Sequence, residues 1–203
     1  MTAARIDRTQ LADDDLVRRV RAGETDAFAE LVRRTRRDGY RLARRILRTH
    51  EDADDALQEA YVKAFRALDR FEEGRAFGPW FSTIVARTAL SALRQGKRRE
   101  TASLDDPAPA GNLPLAERVA DPAQDPALLE QWLLAERAFD ALSDEHRAIL
   151  ALRVDADLTY ADIAATLGIP IGTVMSRLAR AREALLEEMR ELAPKRRMAD
   201  PRS

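Results

Sequence analysis

Apolar residues recur at three- and four-residue spacings along most of the chain, and this pattern constrains the fold more than any other feature. One segment shows it clearly, with apolar side chains at Ala53, Ala56, Leu57, Ala60, Tyr61, Ala64, Phe65 and Leu68. Such spacing is typical of an amphipathic α-helix, and no run alternates in the manner of a half-buried strand. The many Ala, Leu, Arg and Glu residues favour the same structure. We therefore predict an all-α fold.

Glycines and capping residues divide the first part of this pattern into helices. A first helix is predicted to begin near Asp13, where three successive aspartates can cap it. Gly23 then interrupts the pattern, and the next helix is predicted to begin at Thr25 or Asp26. A third helix is predicted to follow His50.

The end of this first helical region contains a predicted loop and a fourth helix. Residues 72–79 include two glycines and a proline, which indicates a loop. The helical pattern resumes at Trp80 and continues to about Gln95. The basic cluster at residues 96–99 starts with a glycine and is predicted to end this helix.

Residues 100–127 differ in composition from the rest of the chain. Five of the nine prolines lie there, mixed with Asp, Ala and Gly, which is typical of a flexible linker. The chain is therefore predicted to form two small helical domains. The predicted divisions are a flexible arm at 1–12, a first domain at 13–99, the linker at 100–127, a second domain at 128–192 and a basic tail at 193–203.

Several function classes are disfavoured by the composition. The sequence has no cysteine, which excludes disulfides, thiolate metal sites and cysteine nucleophiles. Its two histidines, His50 and His146, lie far apart and have no local set of catalytic partners. The sequence also contains no glycine-rich phosphate loop and no nucleophile elbow. We predict that the protein is not an enzyme and uses no metal or cofactor.

The expected location follows from hydropathy. No apolar run approaches the roughly 20 residues that span a bilayer. The first residues, Met1 to Arg8, lack the apolar core of a secretory signal. We predict a cytoplasmic protein without direct membrane contact.

Charge is distributed unevenly although the net charge is only −1. Residues 1–100 carry 22 Lys and Arg against 17 Asp and Glu, whereas residues 101–160 carry 4 against 12. Residues 161–203 carry 8 against 6. Two basic ends around an acidic middle indicate two anion-facing surfaces, and a solvated charge pattern without a partner is the alternative.

The most informative stretch runs from Leu158 to Arg182. Thr159 and Asp162 are spaced as in a capping box, and Gly168 suits the left-handed conformation that ends a helix. A second helix after Pro170 would bury apolar residues spaced four, three and four apart, namely Val174, Leu178, Ala181 and Leu185. Its other face carries hydroxyl and guanidinium groups, from Thr173, Ser176, Arg177 and Arg180. This is the plan of a DNA-binding helix-turn-helix, and an ordinary helical hairpin with a solvated arginine face is the alternative.

The segment from Gly168 to Arg182 closely resembles the promoter-binding helix-turn-helix of extracytoplasmic-function (ECF) sigma factors. In that family the module recognises the minus-thirty-five promoter element. The resemblance implies DNA contacts from Thr159, Tyr160, Ile171, Gly172, Thr173, Ser176, Arg177, Arg180 and Arg182. Met175 stands where the family usually has a lysine. Upstream, Phe139 to Leu150 resembles the lead-in helices, whose outer surface contacts the polymerase flap.

The helix predicted around Asp52 to Arg66 has an acidic and polar outer face. It resembles the sigma-family segment that binds a coiled coil of the largest polymerase subunits. The resemblance implies core-polymerase contacts from Asp52, Asp54, Asp55, Gln58, Glu59 and Val62. The core side of the helix is expected to carry Leu57, Tyr61, Ala64, Phe65 and Leu68. On charge alone, a solvated acidic face is the alternative.

Residues 71–99 resemble the part of the family that melts and recognises the minus-ten element. Opening a duplex needs a surface for unstacked bases and cations for the displaced backbone. The expected contacts are Arg75, Phe77, Trp80, Arg87, Ser91, Arg94, Lys97, Arg98 and Arg99. Arg87 and Ser91 occupy positions where the family often has Asn and Asp. Trp80 begins an amphipathic helix, so a place in the core is the alternative for its side chain.

The resemblance covers residues 15–99 and 128–186, and it implies a sigma factor. The implied partners are the RNA polymerase core (the largest-subunit coiled coil and the flap) and promoter DNA, both duplex and melted. The family is commonly held inactive by an anti-sigma factor, although no residue here identifies one. The alternative function is a helix-turn-helix regulator that binds DNA without acting as a polymerase subunit. That alternative leaves the acidic helix and the aromatic and basic loop without a role.

Overall fold

The computed structural model describes residues 11–102 and 126–193. Within these residues the chain forms α-helices and one short 3-10 turn, and no strand occurs among them. The helices are α1 (Asp13–Arg21), α2 (Asp26–Ile46), α3 (His50–Ala67), α4 (Phe77–Ala102), α5 (Pro126–Ala141), α6 (Asp144–Val154), α7 (Tyr160–Leu167) and α8 (Ile171–Leu192). The all-α prediction is therefore confirmed.

The starts of α3 and α7 are fixed by side-chain capping. The hydroxyl of Thr49 accepts a hydrogen bond from the backbone N–H of Asp52 at 3.0 Å. Thr159 accepts one from Asp162 at 3.1 Å, and its own hydroxyl donates to the Asp162 carboxylate at 2.6 Å. Each bond from a backbone N–H satisfies a donor that the first turn of a helix leaves without a partner. The predicted capping pair at Thr159 is confirmed.

Helix α4 is longer than the sequence predicted. It begins at Phe77 rather than Trp80 and continues to Ala102 rather than ending near Gln95. Pro79 lies in the first turn, where its missing N–H costs no hydrogen bond, so it does not prevent the helix. Gly96 keeps a negative φ and continues the helix. The expectation that residues 96–99 end α4 is wrong.

The amino-terminal body is built around the contacts among α2, α3 and α4, with α1 packed on α2. Its core is aliphatic on α1 and α2 and aromatic on α4. Fully buried side chains here include Leu16, Leu31, Leu42, Ile46, Phe77 and Phe81. Tyr61 stacks on Phe81 with ring centroids 4.5 Å apart, which joins α3 to α4.

The carboxy-terminal body consists of α5 to α8, in which α8 packs against α5, α6 and α7. Its buried side chains include Ile149, Leu152, Leu158, Ile163, Val174 and Leu178. The two bodies are in contact, since α6 packs against α2 and α7 against α4. Buried residues of both bodies form one hydrophobic cluster.

The predicted linker at 100–127 overlaps the described helices at both ends. Helix α4 extends to Ala102 and α5 begins at Pro126. The rest of the linker, most of the arm at 1–12 and nearly all of the tail at 193–203 lie outside the described residues. None of the helices in the described part of the chain has the length and hydropathy needed to cross a membrane.

Candidate protein and nucleic-acid interfaces

The outer face of α3 is acidic with an apolar centre. The residues predicted to contact polymerase are all exposed, namely Asp52, Asp54, Asp55, Gln58, Glu59 and Val62. Val62 is 49% exposed and Phe65 is 45% exposed. Phe65 was expected on the core side, and this is wrong because nearly half of its surface is exposed, although its ring makes a T-shaped contact with the ring of Phe28, with centroids 5.1 Å apart. The structure therefore adds an exposed aromatic residue, Phe65, to the outer face of α3, although the helical spacing placed this residue in the core.

The helix-turn-helix predicted in the carboxy-terminal body is present. α7 ends at Gly168, which has φ +67° and so adopts the left-handed conformation that glycine tolerates best. α8 follows from Pro170, which pre-sets the backbone at its start. Val174, Leu178 and Ala181 are buried on the inner face of α8, as the spacing predicted, whereas Leu185 is only partly buried.

The opposite face of α8 carries the predicted minus-thirty-five contacts. Thr173, Ser176, Arg177 and Arg180 lie within an arc of about 100° around the helix axis, because a helix has 3.6 residues in each turn. Ser176 and Arg180 are exposed, and Thr173 and Arg177 are partly exposed. The Ser176 hydroxyl donates to the carbonyl of Thr173 at 3.1 Å. This surface, which we call the α8 face, is therefore open to a ligand and rich in hydrogen-bond donors.

Other residues of the predicted minus-thirty-five set surround the α8 face. Ile171 and Gly172 are exposed in the first turn of α8, Arg182 is exposed further along the helix, and Thr159 is exposed at the start of α7. Tyr160 is half-buried, with the guanidinium of Arg153 6.0 Å from the centre of its ring. Met175, at the position where a lysine was expected, is 56% exposed.

Cations line the exposed side of α4. Arg75 lies before the helix, and Arg87, Arg94, Lys97 and Arg98 are exposed along it. Ser91 is partly buried on the same helix, one turn after Arg87. The side chain of Arg99 lies outside the described residues. Successive cations on one helix form a surface that suits a phosphate backbone.

Comparisons with known proteins identify the family of the chain. The family model for sigma-70 region 2 matches residues 31–99, and the model for sigma-70 region 4 matches residues 133–185. The ECF RNA polymerase sigma factor SigM of Mycobacterium tuberculosis (strain ATCC 25618 / H37Rv) is 38% identical over 178 residues, which cover 88% of this chain and 85% of SigM. The ECF RNA polymerase sigma-E factor of Escherichia coli K12 is 34% identical, over 90% of this chain and 97% of its own.

The chain belongs to the ECF sigma factors.

Solved structures of similar fold support the same assignment for this sigma factor. The sigma factor RpoE of Bartonella quintana, solved in complex with the anti-sigma factor NepR, matches with a TM-score of 0.63 and 26% identity over 80% of this chain and 96% of its own. CnrH, solved in complex with the cytosolic domain of CnrY, matches with a TM-score of 0.56 and 25% identity, over 89% of this chain and 99% of its own.

One predicted site residue of this sigma factor belongs to the core. Phe77 has no exposed surface, stacks on Phe81 and packs against Phe71. Because a base could reach its ring only if this core opened, the expected DNA contact from Phe77 is wrong. Trp80 packs against Phe71 and Phe77 but keeps part of its surface exposed. The Trp80 ring thus has one side in the core and another that a base could still reach.

Trp80 also lines a cavity between the two bodies. The cavity has a volume of about 440 Å³, and its walls include Trp80, Ile84 and Arg87 on α4 and Asp162 and Ala165 on α7. Arg87 donates to the carbonyl of Ala165 at 3.3 Å across this gap. The structure thus brings part of the predicted minus-ten set against the helix-turn-helix body, which the sequence did not indicate.

The contacts between the bodies also involve charged residues that sequence reasoning missed. Arg45 lies 2.6 Å from Glu136, and Arg41 lies 3.3 Å from Asp155. Burial raises the pKa of Asp155, and the charges of Arg45 and Arg41 act against that rise. In the sequence Arg41, Arg45 and Glu136 are ordinary members of amphipathic helices and Asp155 directly follows one, so no local signal could have identified them.

Proposed function

We propose that this sigma factor binds the polymerase core through α3 and promoter DNA through α4 and α8. A single observation carries the proposal: one chain presents an exposed helix-turn-helix face on α8 and a separate acidic and apolar face on α3. A regulator that only binds DNA needs the first of these surfaces and not the second.

The proposed polymerase contact combines charge with apolar area. Val62 and Phe65 are exposed next to each other along α3, and Asp55, Gln58 and Glu59 lie on the preceding turns. Burying two large apolar side chains gives affinity, while the carboxylates select a basic partner and speed its approach. The outer surface of α5 and α6 is the proposed contact with the polymerase flap.

The proposed duplex contact is α8 in the major groove at the minus-thirty-five element. In a helix-turn-helix the first residues of the second helix approach the base edges, which favours Thr173, Ser176 and Arg177 for base contacts. Arginine pairs with guanine through two hydrogen bonds, or with phosphate when it lies over the backbone. Arg180 and Arg182, further along α8, suit phosphate contacts.

The proposed contact with melted minus-ten DNA is the exposed side of α4 with the loop before it. The exposed part of Trp80 supplies a stacking surface, and charge for the DNA backbone comes from Arg75, Arg87, Arg94, Lys97 and Arg98. We assign these contacts to a first domain at 13–99 and the α8 contacts to a second domain at 128–192. Joining two weak sites in one chain raises the overall affinity through effective concentration.

The proposed partners also indicate the role of the protein in the reaction and the place where it acts. Phosphodiester synthesis is the work of the polymerase, so this sigma factor is proposed to supply specificity and no catalysis. Since polymerase and promoters lie in the bacterial cytoplasm, the protein is proposed to act there. An anti-sigma factor is a further proposed partner, because the similar RpoE of Bartonella quintana was solved with one.

Transcription with purified components tests the proposal. Core polymerase is incubated with this protein and a library of genomic promoter fragments, and the transcript starts are sequenced. We expect transcripts that begin at fixed distances from a shared pair of upstream elements, and only when the protein is present. Sequence-specific DNA binding without any such transcripts would favour the regulator that acts without polymerase.

A further inference from the structure

The first helix, α1, holds the loop that joins α3 to α4. The side chain of Arg21, the last residue of α1, reaches the short 3-10 turn at Leu68–Arg70 that follows α3 and is 24% exposed. Its Nε and Nη2 atoms donate to the carbonyl of Leu68 at 3.2 and 2.9 Å. Nη2 also donates to the carbonyl of Asp69 at 3.4 Å and to that of Phe71. A helix end leaves its last carbonyls without helical N–H donors, and one guanidinium can serve several of them at once.

The loop is attached to α1 at a second point. The carboxylate of Asp14, in the first turn of α1, accepts the backbone N–H of Gly74 at 3.0 Å. Gly74 has a φ of +83°, which glycine adopts more readily than other residues, so the chain turns sharply there. Arg21 also lies 3.3 Å from the carboxylate of Glu73. Arg21 and Asp14 are about two helical turns apart on α1, and they therefore fix two separate points of the loop. We call these two side chains the α1 clasp.

The clasp is connected to the proposed stacking ring, Trp80, through Phe71. Arg21 binds the carbonyl of Phe71, whose side chain is 3% exposed. The ring of Phe71 packs against the rings of Phe77 and Trp80, with centroids 5.8 and 5.1 Å apart. A close-packed core has few voids that could absorb a shift, so a displacement of the Phe71 backbone is passed on to the Trp80 ring.

The clasp also fixes the backbone next to Arg75, one of the cations proposed to bind DNA. Arg75 directly follows Gly74, and its N–H donates to the carbonyl of Glu72 at 3.3 Å, which closes a turn. The Arg75 side chain is 57% exposed. Helix α1 itself lies before residues 31–99, which the family model matches, and it belongs to none of the surfaces described above. Its position against the loop therefore gives α1 a role that those surfaces leave unassigned.

We propose, resting on the minus-ten contact proposed above, that Arg21 and Asp14 are positioning residues for promoter recognition. The α1 clasp sets the loop and the Trp80 ring in the arrangement that discriminates between unpaired minus-ten bases, and neither clasp residue touches the DNA. A loop held in its binding conformation loses less conformational freedom when DNA binds, so recognition depends more on the fit of each base. Without the clasp the loop still carries Arg75 and still attracts DNA, but it adjusts to unmatched bases as readily as to matched ones.

The position of the Trp80 ring in the full-length protein gives the first test. The sequence has two tryptophans, so Trp132→Phe leaves Trp80 as the single fluorescent reporter. In this background we expect Arg21→Met, which keeps the length of the side chain and removes its donors, to make Trp80 more accessible to quenching by acrylamide. Arg18→Met is the matched control, because Arg18 lies one turn earlier on α1 and pairs with Asp15 of the same helix. It should leave the quenching unchanged.

Transcription by the holoenzyme of core polymerase and the full chain gives the second test. The templates are a promoter recovered by the transcription experiment above and its single-base minus-ten variants, each fully paired and also premelted by mismatches over that element. A wrong base typically weakens recognition by roughly 5- to 150-fold. We expect Arg21→Met and Asp14→Ala to bring this ratio close to one at one or more minus-ten positions, on both kinds of template. Arg18→Met and Asp15→Ala should keep the ratio of the natural protein.

The ratio separates positioning from a loss of stability. A variant that is partly unfolded loses activity on every template by the same factor, so its ratio between matched and unmatched bases stays the same. Binding to core polymerase and to minus-thirty-five duplex should also be unchanged in Arg21→Met. If that variant does not fold, Asp14→Ala carries the test, since it removes a single hydrogen bond at the surface. Asp14→Asn keeps an oxygen that can accept the Gly74 N–H, and it should recover the ratio.

Three results would overturn the positioning role. A ratio that stays natural in Arg21→Met and Asp14→Ala contradicts it directly, and a ratio that stays low in Asp14→Asn assigns the effect to charge and not to the hydrogen bond. If Trp80 becomes more accessible in Arg21→Met while the ratio stays natural, the clasp exists but does not set recognition, and the proposed minus-ten contact stands. By contrast, a natural holoenzyme without any minus-ten preference contradicts the proposed function itself, and the positioning role with it.

Discussion

Gly39 on α2 allows Leu57 on α3 to pack so closely that a Cβ atom at position 39 would lie 2.9 Å from Leu57 Cδ1. The same atom would lie 3.1 Å from Cε1 of Phe81 on α4. Any side chain there would therefore push against both α3 and α4. The position joins α2 to the two helices that carry the proposed polymerase and minus-ten surfaces, α3 and α4.

Gly39→Ala should destabilise the protein. Overpacking a core costs about 1–3 kcal/mol, whereas replacing glycine in a helix by alanine gains about 1 kcal/mol. We expect a net loss in the free energy of unfolding, measured by urea denaturation. Gly96→Ala on α4 is the matched control, since its Cβ would meet nothing within 4 Å. That variant should be stabilised by about 0.5–1 kcal/mol, and equal effects of the two substitutions would contradict the close packing at Gly39.

Arg177→Ala should weaken binding to minus-thirty-five duplex DNA. If Arg177 contacts a base, the loss is about 1–3 kcal/mol and sequence preference relaxes at one position. Fluorescence anisotropy against a set of single-base variants measures both effects. Arg190→Ala, in the last turn of α8, is the control because it lies about 20 Å further along the helix. An unchanged affinity and preference in Arg177→Ala would remove this residue from the proposed base contacts.

Reversing the charge of Asp55 and Glu59 to lysine should impair binding to core polymerase, because both exposed carboxylates lie on the proposed contact face of α3. Size-exclusion chromatography with purified core measures the complex. Glu187 and Glu191 are exposed near the end of α8 with the same four-residue spacing, so their reversal to lysine is the matched control. The α3 variant should still bind minus-thirty-five duplex. Normal complex formation by this variant would show that the acidic face is only a solvated surface.

Glu30→Gln should change how stability depends on pH. Hydrogen bonds from Arg33 and Arg34 lower the pKa of Glu30 from 4.5 to about 2. Because the folded-state pKa is the lower one, the charged carboxylate stabilises the protein above about pH 4.5, and this contribution is lost as the pH falls towards 2. We expect the variant to be less stable near neutral pH and the difference from the natural protein to shrink on acidification.

Denaturant titrations at a series of pH values measure that difference. Glu187→Gln removes one charge from an exposed position on α8 and controls for the change in net charge. A difference between the Glu30 variant and the natural protein that stays constant from neutral pH to about 2 would contradict the shifted pKa.

Several features of the helix-turn-helix could be predicted from the sequence because they depend on interactions between residues that are close together in the chain. The capping pair at Thr159, the left-handed Gly168 and the buried stripe of α8 depend on residues within a few positions of one another. The expected and observed structures agree at each of these points except Leu185, which is only partly buried. The DNA contacts assigned to the motif stay predictions, since they depend on a ligand.

The predictions of burial and of helix ends were wrong where the local sequence pattern and the packing of the helices favoured different outcomes. Phe77 follows a glycine-rich loop and was expected on the surface, yet it is buried between Phe71 and Phe81. Phe65 has core spacing on α3 and is nevertheless 45% exposed, because no helix of the described chain covers that side of it fully. Gly96 is a helix breaker by propensity, but a helix as long as α4 tolerates one such residue.

The sequence by itself determined the helical fold class, the order of the helices and the family, because periodicity, capping and motif spacing involve residues close together in the chain. Only the tertiary structure decided that the two bodies pack together and that α7 lies over the proposed minus-ten cations. Arg45 and Glu136 are 91 residues apart, and Arg147 bonds carbonyls about a hundred positions before it. No local sequence pattern links such partners, because their contact depends on how the two helical bodies pack against each other. It also depends on the free-energy cost of burying a charge that has no partner.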